Sequence, residues 1–198
     1  MHTLARPLVR QAGRKRQFGE RAFTLIELLT VIAIIAILAS ISFGVISGVK
    51  ERSAVSQAKA ELSVLSQALE SFKKQYGDYP QTKDEAELYA ALSGRLGPKP
   101  SVGTISGKRF INASDLSVKA AGGGEPTDYD AAGNYLADPW GNPYKYFYKN
   151  EADPTAWRSL SYILYSSGPE FEGEVVPDNT GVIDTQTAAN LDNIYANK

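Results

Sequence analysis

The sequence predicts an α+β fold in which one long N-terminal helix packs on a small antiparallel sheet. Three observations predict it. Residues 23–49 read FTLIELLTVIAIIAILASISFGVISGV and carry a single charge, Glu27. Beyond them Val55, Ala58, Leu62, Leu65, Leu69, Phe72 and Tyr76 recur at three- and four-residue steps, one apolar stripe on a continuing helix. Towards the C-terminus an alternating run, 144–148, and a second strand candidate, 161–167, come after a stretch of turn residues. The expected organisation is a basic leader (1–22), an apolar helix (23–49) and a globular body (50–198). The body divides into a helical stalk (50–76), a variable insertion (93–135), and a sheet with an acidic C-terminal loop (136–198).

The first element is set by charge and length. The chain has 198 residues, with 21 Lys+Arg against 22 Asp+Glu and no cysteine. A net charge of -1 argues against nucleic acid as a partner, and the absence of cysteine excludes disulfides, thiolate metal sites and thiol nucleophiles. The charge is unevenly placed. Arg6, Arg10, Arg14, Lys15, Arg16 and Arg21 face only Glu20 in the leader, a net +5, and the remainder is acidic at -6. At 1.5 Å per residue, residues 23–49 cover roughly 40 Å as a helix, enough for a hydrocarbon core of about 30 Å. Basic flanks stay on the cytoplasmic side, so a single pass is expected, with the body exported. A cleaved secretory signal would have a shorter apolar core and a polar continuation, whereas here the run passes directly into the stalk helix.

The stalk stripe lies opposite faces carrying Lys50, Arg52, Lys59, Glu61, Glu70 and Lys73. Helix from Phe23 to Tyr76 would be about 80 Å long. Its heptad-like spacing suits either a coiled coil or a sheet-covering helix; three heptads are marginal for the first, and the strands downstream need the second. Gly44 and Gly48 interrupt the composition without breaking the helix. Gly77-Asp78-Tyr79-Pro80 terminates it with a C-cap glycine and a following proline.

A second helix is expected over 83–92, with Leu88, Tyr89 and Leu92 on its apolar face. Residues 93–135 are broken by glycine and proline; within them 108–111 reads as a short strand and 112–116 as a turn or short helix. Asp138-Pro139-Trp140-Gly141-Asn142-Pro143-Tyr144 is turn chemistry throughout. The two strand candidates after it most simply pair antiparallel. Tyr144, Tyr146 and Tyr148 share one strand face, which suits either a carbohydrate platform or sheet-on-helix core.

Glu27 is the residue that a bland membrane anchor does not explain. It either snorkels to the interface near the leader or has a partner and a function. Around it, Arg21-Ala22-Phe23-Thr24-Leu25-Ile26-Glu27-Leu28-Leu29 resembles the processing site of type IV prepilins and type II secretion pseudopilins. The resemblance spans roughly residues 21–48. It implies cleavage by a prepilin peptidase between Ala22 and Phe23, with Ala22 standing where the family usually has Gly, and N-methylation of Phe23. It further implies that the free amine of Phe23 on one subunit neutralises Glu27 of a neighbour during assembly. DPWGNPYKY followed by SYILYSSG independently resembles the C-terminal part of the major pseudopilin of type II secretion. Together the two resemblances imply a type IV pilin-like fold and a homopolymer built through N-terminal helices. They also imply an inner-membrane location with a periplasmic body, and dealings with the secretion assembly platform and minor pseudopilins.

From Ser159 to Asn197 there is no Lys or Arg but six acids: Glu170, Glu172, Glu174, Asp178, Asp184 and Asp192. Such acids repel unless they are solvated or bridged by a cation, and Ca²⁺ suits a flexible set of carboxylates and carbonyls. The loop is not an EF-hand. Resemblance to the pseudopilin implies Ca²⁺ held by the Ser167 carbonyl, Glu170 in place of the usual Asp, and Asp192; a solvated acidic loop is the other reading. Pro169-Glu170-Phe171 departs from the family's glycine-containing turn, and the segment through Asp178 and Asp184 is longer.

Three functions compete: a pseudopilus subunit driving protein export, a type IV pilus subunit for adhesion, motility or DNA uptake, and an anchored hydrolase. Gram-negative pilins commonly close their C-terminal loop with a disulfide, so a chain without cysteine that carries DPWGNPY favours the pseudopilin. The only histidine is His2, in the leader, so no Ser/His/Asp set and no histidine metal pair can form, and a catalytic role is not expected.

Overall fold

The computed structural model describes residues 23–149, 151–169, 176–187 and 190–196, with backbone alone for 41–47. The chain divides into two compact units, Met1–Ile46 and Ser47–Lys198. The first described element is α1, Leu25–Tyr76, a 52-residue helix that runs through both glycines without a break. Among the described residues no helix is long and apolar enough to cross a membrane. The side chains described in that stretch run from Leu25 to Ser40, whereas the span expected from the sequence covers 23–49.

In the second unit the expected stripe is the buried one. Ala58, Leu62, Leu65, Leu69 and Phe72 are all buried, and from Leu62 onward they share one cluster with Tyr146, Tyr162, Leu164 and Tyr165 from the sheet. That decides between coiled coil and sheet-covering helix in favour of the sheet. Gly77 ends α1 with φ +86°, a left-handed conformation that glycine adopts without a Cβ clash, and its N–H closes on the Lys73 carbonyl at 2.7 Å.

The second helix, α2, is Glu85–Leu92; Asp84 caps it by accepting from the N–H groups of Ala86 and Glu87, so Lys83 falls outside. The insertion differs from expectation. Residues 108–111 form no strand, because their backbone contacts with the 92–95 segment are single bonds such as Phe110 N–H to the Leu92 carbonyl and never build a ladder. Residues 112–116 form the expected turn, closed by Asp115 N–H to the Asn112 carbonyl. Just beyond lies an unforeseen pair, β1 (Ser117–Lys119) and β2 (Tyr135–Ala137), antiparallel with Val118 opposite Leu136.

The second sheet holds β3 (Lys145–Phe147), β4 (Ile163–Ser166) and β5 (Ile194–Tyr195) in that order. β3 and β4 pair antiparallel as expected, Tyr146 opposite Leu164. β5 closes on the far edge of β4, with Tyr165 opposite Tyr195 and Ser166 opposite Ile194. The tyrosine face is core. Tyr144, Tyr146 and Tyr148 are all buried, and their hydroxyls are held by Glu61, the Pro80 carbonyl and Asp78 respectively.

Candidate functional site

Phe23 and Thr24 precede the first turn of α1. The Thr24 carbonyl accepts from the N–H groups of Glu27 and Leu28, and its hydroxyl oxygen accepts from Glu27 N–H at 3.3 Å. A longer contact, 3.5 Å, runs from the Thr24 hydroxyl to Glu27 Oε2. Thr24-Leu25-Ile26-Glu27 is thus an N-terminal cap of the T-x-x-E kind, a local role for Glu27 that neither snorkelling nor a distant partner accounts for. The carboxylate sits in the first helical turn, where the macrodipole favours negative charge. Every large apolar side chain from Leu25 to Leu38 is exposed, so this helix presents an uncovered apolar surface with one acid at its start. Ala22 lies outside the described residues.

The turn between β2 and β3 is organised by one buried acid. Asp138 Oδ1 accepts from Trp140 N–H at 3.0 Å and Asn142 N–H at 2.9 Å, while Oδ2 accepts from the Ser166 hydroxyl at 2.6 Å. Burial pushes the Asp138 carboxyl above its ordinary value, and the bonds from Ser166, Asn142 and Trp140 offset that only in part. From the same turn, Tyr144 donates to Glu61 Oε2 at 2.7 Å, and Gln57 Nε2 donates to the other oxygen at 2.8 Å. Glu61, placed by spacing on a solvated face of the stalk, is in fact buried. Its stripe offset gave no hint, because the partner lies 83 residues away.

The reversal after β4 meets the C-terminal segment. Gly168 has φ +68°, and a Cβ there would lie 3.0 Å from the Asp192 carbonyl oxygen and 3.1 Å from its Oδ2, so only glycine admits this approach. Ser167 is fully buried beside it. The next residue after Asp192 is Asn193, whose amide oxygen is buried without a hydrogen-bond partner. Of the three ligands expected for Ca²⁺, Asp192 comes up against Gly168, the residue that follows Ser167; Glu170 lies outside the described residues. A backbone carbonyl and a carboxylate are hard donors of the kind Ca²⁺ takes. Among the described residues no group of three or more His, Cys, Asp or Glu side chains gathers around a common point.

Two other tail acids are satisfied locally. Asp178 Oδ1 accepts from the Thr180 hydroxyl at 2.6 Å and from the N–H groups of Thr180 and Val182; Asp184 accepts from Gln186 N–H and the Thr187 hydroxyl. These bonds hold both carboxyls below their ordinary value, led by the Thr180 hydroxyl for Asp178 and Gln186 N–H for Asp184. The sequence offered only solvation or a shared cation for them, and their own turns supply a third answer.

A capped, apolar N-terminal helix with an acid in its first turn, continued into a helix-on-sheet body, defines a prepilin-like protein, and residues 18–43 match the prokaryotic N-terminal methylation motif. Over 161 residues, 79% of this chain and 87% of the relative, it is 27% identical to the type II secretion system core protein G of Pseudomonas aeruginosa. It is 30% identical to the protein of the same name from Pectobacterium carotovorum subsp. carotovorum over 132 residues, 65% of this chain and 67% of that one. Identity to the type IV major pilin protein PilA of Myxococcus xanthus is 37% over 102 residues, 52% of this chain and 46% of the pilin. The chain belongs to the family of type II secretion system core protein G, the major pseudopilins. No solved structure matches it.

Proposed function

We infer that this chain is a structural subunit of a type II secretion pseudopilus, a periplasmic filament that drives protein export. One observation carries the reading: similarity to core protein G extends over 87% of that relative's length, well beyond the methylation motif that all prepilin-like chains share. The chain works by assembly, and no catalytic role is assigned to it. A prepilin peptidase cuts between Ala22 and Phe23 and methylates the new amine. The apolar helix then holds the subunit in the inner membrane by a single pass, with the body in the periplasm. During extension the Phe23 amine of one copy neutralises Glu27 of its neighbour, because a carboxylate in lipid is costly until it is paired. The exposed apolar side chains between Leu25 and Leu38 exchange lipid for other copies of the same helix. Further contacts are made with the assembly platform and the minor pseudopilins.

The approach of Gly168 to Asp192, next to the buried Ser167, supports a Ca²⁺ role for Ser167 and Asp192, with Glu170 as a third ligand. When bound, the ion ties the end of β4 to the C-terminal segment. The alternative, a type IV pilus subunit, is favoured by the Myxococcus match, which reaches only 46% of that pilin. The deciding experiment combines intact mass spectrometry of the membrane-extracted chain with a secretion assay in its own bacterium. A mature species beginning at N-methylated Phe23 is expected. Glu27→Ala should stay processed and folded yet lose filament incorporation and export. Loss of surface piliation with export intact would replace the pseudopilus reading by the pilus one.

A further inference from the structure

A ligand carbonyl is useful only if its direction is fixed before the cation arrives. The Ser167 carbonyl shares one planar peptide unit with the Gly168 N–H, and in a trans peptide the two point in opposite directions. No cis peptide occurs among the described residues, so whatever holds Gly168 N–H also aims the Ser167 carbonyl. What holds it is the Ser166 hydroxyl oxygen, which accepts from Gly168 N–H at 3.1 Å. That hydroxyl donates in turn to Asp138 Oδ2 at 2.6 Å. On the other side of the residue, Asn142 Nδ2 donates to the Gly168 carbonyl at 3.0 Å.

Both peptide units flanking Gly168 are therefore clamped from the 138–142 turn. Asp138 is the root of the clamp, because it also fixes Asn142 through that residue's N–H. A buried carboxylate is an expensive way to hold a turn that an Asx bond from asparagine would hold as well. Its second oxygen, on Ser166, reaches beyond the turn. The relay from Gly168 N–H through Ser166 to a charged acceptor is stiffer than one ending on a neutral group.

We propose that Asp138 is a positioning residue for the C-terminal cation seat: through Ser166 it orients the Ser167 carbonyl, and through Asn142 it holds Gly168 against Asp192. The proposal rests on the reading of Ser167 and Asp192 as calcium ligands, and Asp138 itself touches no ion.

The test uses the full chain purified in detergent, titrated with CaCl₂ and followed both by calorimetric binding and by melting temperature, with NaCl at matched ionic strength as the control. Wild-type protein should bind Ca²⁺ and melt higher in it. Asp138→Ala should weaken Ca²⁺ binding by about tenfold to a hundredfold, the usual effect of losing a group that orients ligands. Asp138→Asn keeps Oδ1 for the turn but puts an N–H donor where Oδ2 accepted from Ser166, so it should hold the turn and still weaken Ca²⁺ binding. Leu65→Ala, a core change outside the 138–142 turn and residues 166–168, should lower the melting temperature in chelator without changing Ca²⁺ affinity, which separates orientation from general stability. If Asp138→Ala does not fold, Ser166→Ala carries the same prediction by cutting only the relay. Wild-type binding with unchanged affinity in a folded Asp138→Ala or Ser166→Ala protein would overturn the positioning role and leave the calcium reading standing. Wild-type melting identical in CaCl₂ and matched NaCl, with no binding heat, would remove both.

Discussion

At the scale of single residues, the molecule spends its buried polar groups on docking. Tyr144 is the clearest case: burial, with Glu61 as hydrogen-bond acceptor, raises its hydroxyl far above the ordinary range, so it stays a donor at any working pH. Tyr144→Phe leaves the Glu61 carboxylate buried with Gln57 alone and should cost about 1–3 kcal/mol, read from denaturant unfolding of the full chain in detergent. Adding Glu61→Leu should recover part of the loss, because the uncompensated charge goes with it. Asp78 gives a pH signature of opposite origin. Burial alone would raise its carboxyl, but the Tyr148 hydroxyl, Tyr79 N–H, Gln81 and the Lys149 charge outweigh it, and the net direction is down. A carboxyl depressed in the folded state stabilises above its unfolded value of 3.8 and loses that contribution as pH falls through the lower folded one. Asp78→Asn should therefore flatten the acid limb of stability below about pH 4, as measured by melting across a pH series. An unchanged acid limb would remove Asp78 as its source.

At the scale of elements, the C-terminal half of α1 carries the core. Leu62, Leu65, Leu69 and Phe72 are each no more than 1% exposed. Leu65→Ala should then destabilise by about 2–5 kcal/mol, the cost of lost transfer energy plus a cavity. An effect below about 1 kcal/mol would mean that the stripe packs loosely. β3, β4 and β5 depend on this helix in return, since strands of two to four residues are too short to hold one face together alone. The 138–144 turn is where the elements meet: it joins β2 to β3, bonds α1 through Tyr144, and bonds the end of β4 through Asp138.

For the whole molecule, the proposed orientation in the membrane rests on charge asymmetry. On that proposal the leader at +5 is held inside, and a body at -5 carries no comparable basic anchor against export. Replacing Arg10, Arg14, Lys15 and Arg16 with Gln, while keeping Arg21 beside the cleavage site, should lower the fraction of chains whose body is exported. Protease accessibility of the body in spheroplasts measures this directly. Full accessibility in the variant would show that the apolar helix alone sets the topology.

The N-terminal half was readable from the sequence because its information is local. FTLIE with a basic leader, a stripe at helical spacing and Gly77 before Pro80 each state their structure within one or two turns, and the family emerges from them together with DPWGNPY. Strand pairing of 144–148 with 161–167 was legible for the same reason, through alternation in the first run, the apolar Tyr162–Tyr165 of the second and the short connection between them. Other features depended on contacts that no window contains. β1 lies inside the glycine-rich insertion and β2 at its end, and at three residues each they are too short for periodicity to register. β5 is two residues of Ile and Tyr that become a strand only because β4 offers an open edge. Glu61 looked solvated until Tyr144 arrived from the distant turn, and Asp178 and Asp184 looked like unpaired acids until their own turns satisfied them. Asp138 read as a turn former, which it is. Its second oxygen found Ser166 only when β2 and β4 were brought to the same end of the molecule, because a hydrogen bond between residues 28 apart exists only in three dimensions.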